Sequence, residues 1–296
     1  MRESSNPIMR GVVRGNKKDG GGYASFGQGL AGAGQASMMQ GQQQHTDQYT
    51  QQGYAPQAGT RPMSIDDVVT KTAMTLGVLV AFAIASYFFI SSRGDQAAQM
   101  SVAAPIMAVG AIGGLVLVLI ATFGRKQDNP AIVLSYSALE GLFVGAISFV
   151  FGNLTVSNTS AGSMIGQAVL GTLGVFGGML VVYKVGAIRV TPRFTRMLMA
   201  GMFGVLALII GNLVIGFFNG GEGFGLRDGG PLSIIFSLVC IALAAFSFLL
   251  DFDQADNLIR AGAPSKAAWG VALGLTVTLV WLYVEILRLL SYLNSD

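Results

Sequence analysis

Three carboxylates stand where a carboxylate is costly. Glu140, Asp251 and Glu285 fall inside or at the edge of long apolar runs. An ionisable group at the centre of a membrane span costs several kcal/mol, so its usual reason for being there is to pass an ion or to sense a proton. Glu140 is about ten residues into its run, near mid-depth at ~1.5 Å per residue. Asp251 closes the uncharged stretch Leu232–Leu250 and is expected near the inner boundary. Glu285 follows Ala267 by about 18 residues and is expected nearer the outer side, so these two acids should not touch.

Asp251, Asp253 and Asp256 together invite a calcium-loop reading, and it fails. An EF-hand loop needs Gly at its sixth position and a bidentate acid at its twelfth, whereas here Leu258 to Gly262 follow. A helix running to Ala261 with Gly262 just beyond it fits better. Asp256 and Arg260 then pair four residues apart, worth a few tenths of a kcal/mol, and Asp253 lies on a solvated face. Cys240 and the distant His45 make no zinc site, and one Cys makes no internal disulfide. No His-Glu-x-x-His helix, no phosphate loop and no nucleophile with a base partner is present. Neither an enzyme activity, a metal site nor a cofactor is expected.

The elements that carry these acids are membrane spans. Of 296 residues, 52% are hydrophobic and only 11% charged, with 41 Gly and 13 Met. A soluble domain carries about 25% charged residues. The net charge of +3 is scattered along the chain, which points away from nucleic acid. Uncharged runs at about 72–92, 102–123, 131–151, 164–183, 197–218, 231–250 and 267–290 are each close to the ~20 residues that cross a hydrocarbon core. The fold class is therefore an all-α polytopic bundle of seven spans over residues 61–296. Ser64 with Asp67 reads as the N-cap of the first helix, and Pro105 as first-turn punctuation of the second. Residues 1–60, rich in Gln, Gly and Ser, hold too little apolar surface to fold and are expected to form a disordered cytoplasmic tail.

Lys and Arg set the orientation. With the N-terminus inside, the inner segments hold Arg61, Lys71, Arg125, Lys126, Lys184, Arg189, Arg193, Arg196, Arg260 and Lys266. The outer ones hold Arg93 and Arg227, with Arg288 near the end of the last span. A cell-membrane protein with its C-terminus outside follows. Gly141/Gly145, Gly174/Gly178 and Gly270/Gly274 are spaced for close helix packing.

The sequence resembles the Bax inhibitor-1 family, including its bacterial YccA-like members. The resemblance rests on Tyr136–Gly141 in the third span, Leu170–Phe176 in the fourth, Leu250–Phe252 in the sixth, and Ala272–Leu275 with Leu287–Leu290 in the seventh. It implies a seven-helix bundle around a central last helix, acting as a pH-sensitive calcium leak. In such proteins two aspartates on the sixth and seventh spans share a proton, and an Arg of the second span latches them. Asp251 matches the first aspartate and Arg125 loosely matches the latch. Thr278 stands where the second aspartate would be, and Glu285 is seven residues further on. Two functions follow as expectations. One is a proton-gated cation leak lined by Asp251, Glu140 and Glu285. The other is a non-transporting regulator of a membrane-bound protease complex, gripped through the tail. The lipid bilayer is a partner in both, and calcium in the first.

Overall fold

Without water to receive them, backbone N–H and C=O groups in a bilayer must be paired within their own segment, and an isolated apolar run achieves this only as a helix. The computed structural model describes residues 61–155, 160–218 and 223–294. The tail 1–60 lies outside the described residues. Seven helices long and apolar enough to cross a membrane follow one another, and no strand occurs among the described residues. They are α1 Ile65–Ser91, α2 Gln96–Phe123, α3 Pro130–Phe149, α4 Ala161–Lys184, α5 Pro192–Phe218, α6 Pro231–Arg260 and α7 Ala268–Leu293. A π-helical turn, Val150–Thr155, extends α3, and a 3-10 turn, Ser265–Ala267, leads into α7.

The helix ends follow local chemistry. Ser64 accepts the Asp67 N–H at 3.3 Å, and Asp67 accepts the Ser64 N–H at 3.0 Å, which completes a capping box. Asp95 caps α2 by accepting the Ala98 N–H at 3.0 Å. That cap starts α2 at Gln96, before the apolar run begins, so Pro105 lies inside the helix rather than in its first turn. α6 runs past Asp251 to Arg260, with Gly262 at a left-handed φ of 65° beyond the end. The Asp256–Arg260 pair forms at 2.8 Å.

α7 is the hub. Its most apolar stretch is 72% buried, against 11% for those of α4 and α5 and 17–22% for α2 and α1. Large apolar side chains on the other helices face outward, among them Phe88, Ile112, Leu170 and Phe217. This is the inside-out arrangement that lipid permits. Glycines set how closely the inner helices meet. A Cβ on Gly141 or Gly145 would run into the Leu79 or Ala83 carbonyl of α1, and one on Gly110 into α3 at Leu139 and Phe143. Gly174 and Gly178 have open space instead, so that pair packs against no helix among the described residues.

One end of the bundle is tied together. Met63 N–H donates to the Ala263 carbonyl at 2.7 Å and Ser265 N–H to the Arg61 carbonyl at 2.9 Å. The lead-in to α1 is thereby stitched to the α6–α7 turn. Lys71 donates to the Ser265 carbonyl, and Lys266 pairs with Asp128 of the α2–α3 turn at 3.0 Å.

Candidate proton and ion site on the central helix

Asp251 points from α6 at α7. Its Oδ2 accepts the Thr278 hydroxyl at 2.8 Å, and the same hydroxyl lies 3.2 Å from the Gly274 carbonyl. Gly274 lies beside the carboxylate, and a Cβ there would make ordinary contact with Oδ1 at 3.6 Å. Gly274 and Thr278 are four residues apart and so share a helix face. Beside them, Phe252 packs on Phe248 and on Phe176 of α4, with ring centroids 6.1 and 5.6 Å apart. The sixth- and seventh-span segments singled out from the sequence thus meet at the Asp251 carboxylate, and the fourth-span segment packs on the neighbouring Phe252. From Asp251 the helix continues for about 14 Å, to Arg260.

Glu285 belongs to a different setting, about 10 Å further along α7 than Thr278. It is 3% exposed. Its Oε1 accepts from Arg288 Nη1 at 2.6 Å and lies 4.0 Å from Arg227 Nη2, while Oε2 is buried with no hydrogen-bond partner among the described residues. Arg227 comes from the α5–α6 loop. Tyr292 of α7 donates to its carbonyl at 3.3 Å, and Ser233 ties the loop by donating to the Gly225 carbonyl at 2.9 Å. Burial and the neighbouring Arg288 charge pull the Arg227 guanidinium below its ordinary value, with the Glu285 carboxylate opposing them.

Glu140 occupies a third setting. Its carboxylate fills the notch left by Gly114 of α2, where a Cβ would come within 2.5 Å of Oε2, and among the described residues it makes no hydrogen bond or ion pair. Arg125 sits in the α2–α3 turn at a positive φ of 52°, exposed and without an ion pair among the described residues. No bond joins it to Asp251. Asp253 accepts from Asn257 at 2.9 Å on the surface of α6. Among the described residues no group of three His, Cys, Asp or Glu is placed to hold a metal ion.

Sequence reasoning left two things unseen. Arg227 was read only as a charge on an outer loop, and nothing local links it to Glu285, which is 58 positions later. Lys71, read as a flank of the first run, lies 5.7 Å over the Trp269 ring in addition to its bond with Ser265. Against known proteins, a family model described as Bax inhibitor 1 like matches residues 33–295. A search of curated proteins returns no match.

Proposed function

This chain belongs to the Bax inhibitor 1 like family, and we propose that it is a cation leak, with calcium as the ion, governed by the protonation of Asp251. The observation that carries this reading is the Asp251–Thr278 hydrogen bond on the most buried helix of a multi-pass membrane protein. As a carboxylate, Asp251 accepts the Thr278 proton and offers a negative charge beside α7. Once protonated, its own O–H can donate to Thr278 Oγ1, and Thr278 can turn its proton to the Gly274 carbonyl. The contact between α6 and α7 survives both states, and only the charge changes. A cation moving along α7 therefore meets an attractive site at high pH and a neutral one at low pH. We place the N-terminus in the cytoplasm and the C-terminus outside, on the Lys and Arg distribution.

Purified protein in liposomes tests this directly, with calcium and potassium flux measured at two pH values. Asp251→Asn should lower calcium flux at the higher pH to the level of the parent at the lower pH, and should flatten the pH dependence. An unchanged pH profile in the variant removes Asp251 from the mechanism.

A second reading, a non-transporting regulator of a membrane-bound protease, draws on the stitch between Arg61–Met63 and Ala263–Ser265. The segment that enters α1 is thereby bonded to the α6–α7 turn. Pull-downs with the whole chain and with residues 1–58 removed separate the two. Loss of a protease partner on truncation favours regulation, and identical partners count against it.

A further inference from the structure

α1 and α4 do not close on each other. Between them lies a cleft of about 510 Å3, floored by α3 and α7. Its α1 wall runs from Leu76 to Phe88 and its α4 wall from Gly162 to Leu173. The hydroxyls that reach the cleft are engaged by the protein. Tyr283 meets Ser148 Oγ at 2.7 Å, Ser148 donates to the Val144 carbonyl at 2.6 Å, and Thr172 to the Ala168 carbonyl at 2.8 Å. Tyr87 accepts from Asn153 at 3.0 Å. Ligand sites for polar molecules carry a few convergent polar groups that fix orientation. Here those groups are turned back onto the protein, and the remaining lining is hydrocarbon.

The rim identifies the occupant. Val80, Ile84 and Phe88 on one side and Val169 and Leu173 on the other are 41–65% exposed and form part of the outward apolar surface of the spans. The cleft is thus continuous with the face that meets lipid. From Leu76 to Phe88 it extends about 18 Å, a little more than half of a ~30 Å hydrocarbon core. It lies in the half of α1 that ends at Ser91, so it has the depth of one leaflet. Left empty, its walls would forfeit their dispersion contacts on that side.

We propose that this cleft is a binding site for a single acyl chain of a membrane lipid. The chain enters sideways between α1 and α4 from the leaflet on the Ser91 side, with the lipid head group level with Tyr87 and Asn153. The chain lies against Leu279, Val280 and Tyr283, the residues that follow Thr278 on α7. The inference is independent of the leak reading.

The test uses the whole chain in vesicles of phosphatidylcholine carrying a diazirine on one acyl chain. After photolysis, labelled peptides are mapped by mass spectrometry. Labelling of Val80, Val169 and Leu173 should exceed several-fold that of Phe203 and Leu206 on α5, which are comparably exposed and line no cleft. Val169→Trp should obstruct the cleft between α1 and α4 and cut the excess while α5 labelling stays constant. Ile84→Trp repeats the test from the other wall, with gel filtration confirming that each variant is folded. Equal labelling of the cleft and α5, or an excess that survives both Trp variants, overturns the proposal. So does protection of the cleft from label in a protein that gel filtration shows to be a dimer, which would make its occupant a second protein.

Discussion

Glu285→Gln removes a charge at a place where the protein can least do without it. The Arg288 guanidinium lies 2.6 Å from Oε1, with the two side chains only 11% and 4% exposed. The amide keeps the shape of the carboxylate, so the change isolates the charge. It leaves Arg288 and Arg227 facing each other without an anion. Removing one member of a buried pair costs about 3–5 kcal/mol because the other charge stays uncompensated. Arg227 is 34% exposed and can turn toward solvent, which places the expected loss at the lower end, about 3 kcal/mol. The companion variant Glu285→Leu with Arg288→Met removes both desolvation costs and should lie within about 1 kcal/mol of the parent. The single variants Glu285→Leu and Arg288→Met and the double one close a cycle, which SDS-induced unfolding of the purified protein can measure. The reasoning is refuted if Glu285→Gln alone is as stable as the parent, or if the double variant loses the sum of the two single losses.

Other outcomes follow from separate features. Gly145→Ala should destabilise by about 1–3 kcal/mol through overpacking against Ala83 and Ser86. Gly174→Ala, with open space around it, should gain about 0.5–1 kcal/mol from helix propensity, and thermal unfolding in detergent compares the two. Thr278→Asp places a second carboxylate against Asp251, so the pH profile of calcium flux should change from one step to two. Ser64→Ala should cost about 0.5–2 kcal/mol by removing the cap of α1. Lys266→Ala, at an exposed pair with Asp128, should change stability by less than about 1 kcal/mol.

Much of the bundle was legible because span length and charge-free runs are local properties. The Ser64–Asp67 box and the end of α6 at Gly262 were legible for the same reason, since caps are written within four residues. Helix faces are another matter. Gly spacing shows which residues share a face, but not which neighbour that face meets. Gly141 and Gly145 meet α1, Gly174 and Gly178 meet none of the described residues, and Gly110 and Gly114, at the same spacing, receive α3. The site shows the same divide. That Thr278 stands in for an aspartate came from aligned spacing, and the structure adds that it is bonded to Asp251. Arg125 could be matched by position alone, yet it lies in a turn at the helix end, away from a carboxylate about 14 Å inside α6. Glu285 drew notice for its burial, but its partner Arg227 arrives on a loop whose path no periodicity encodes.

The most enclosed helix of the bundle is also the last of the seven in the chain. Synthesis proceeds from the N-terminus, so α1 to α6 leave the ribosome before the element that fills the space between them. Until α7 inserts, the hollow exposes the Asp251 carboxylate without Thr278 and the close-packed surfaces of α3 and α6 without their neighbour. Closure of the bundle therefore waits for α7, and a chain shortened before Ala268 leaves the inner faces of α3 and α6 without their neighbour.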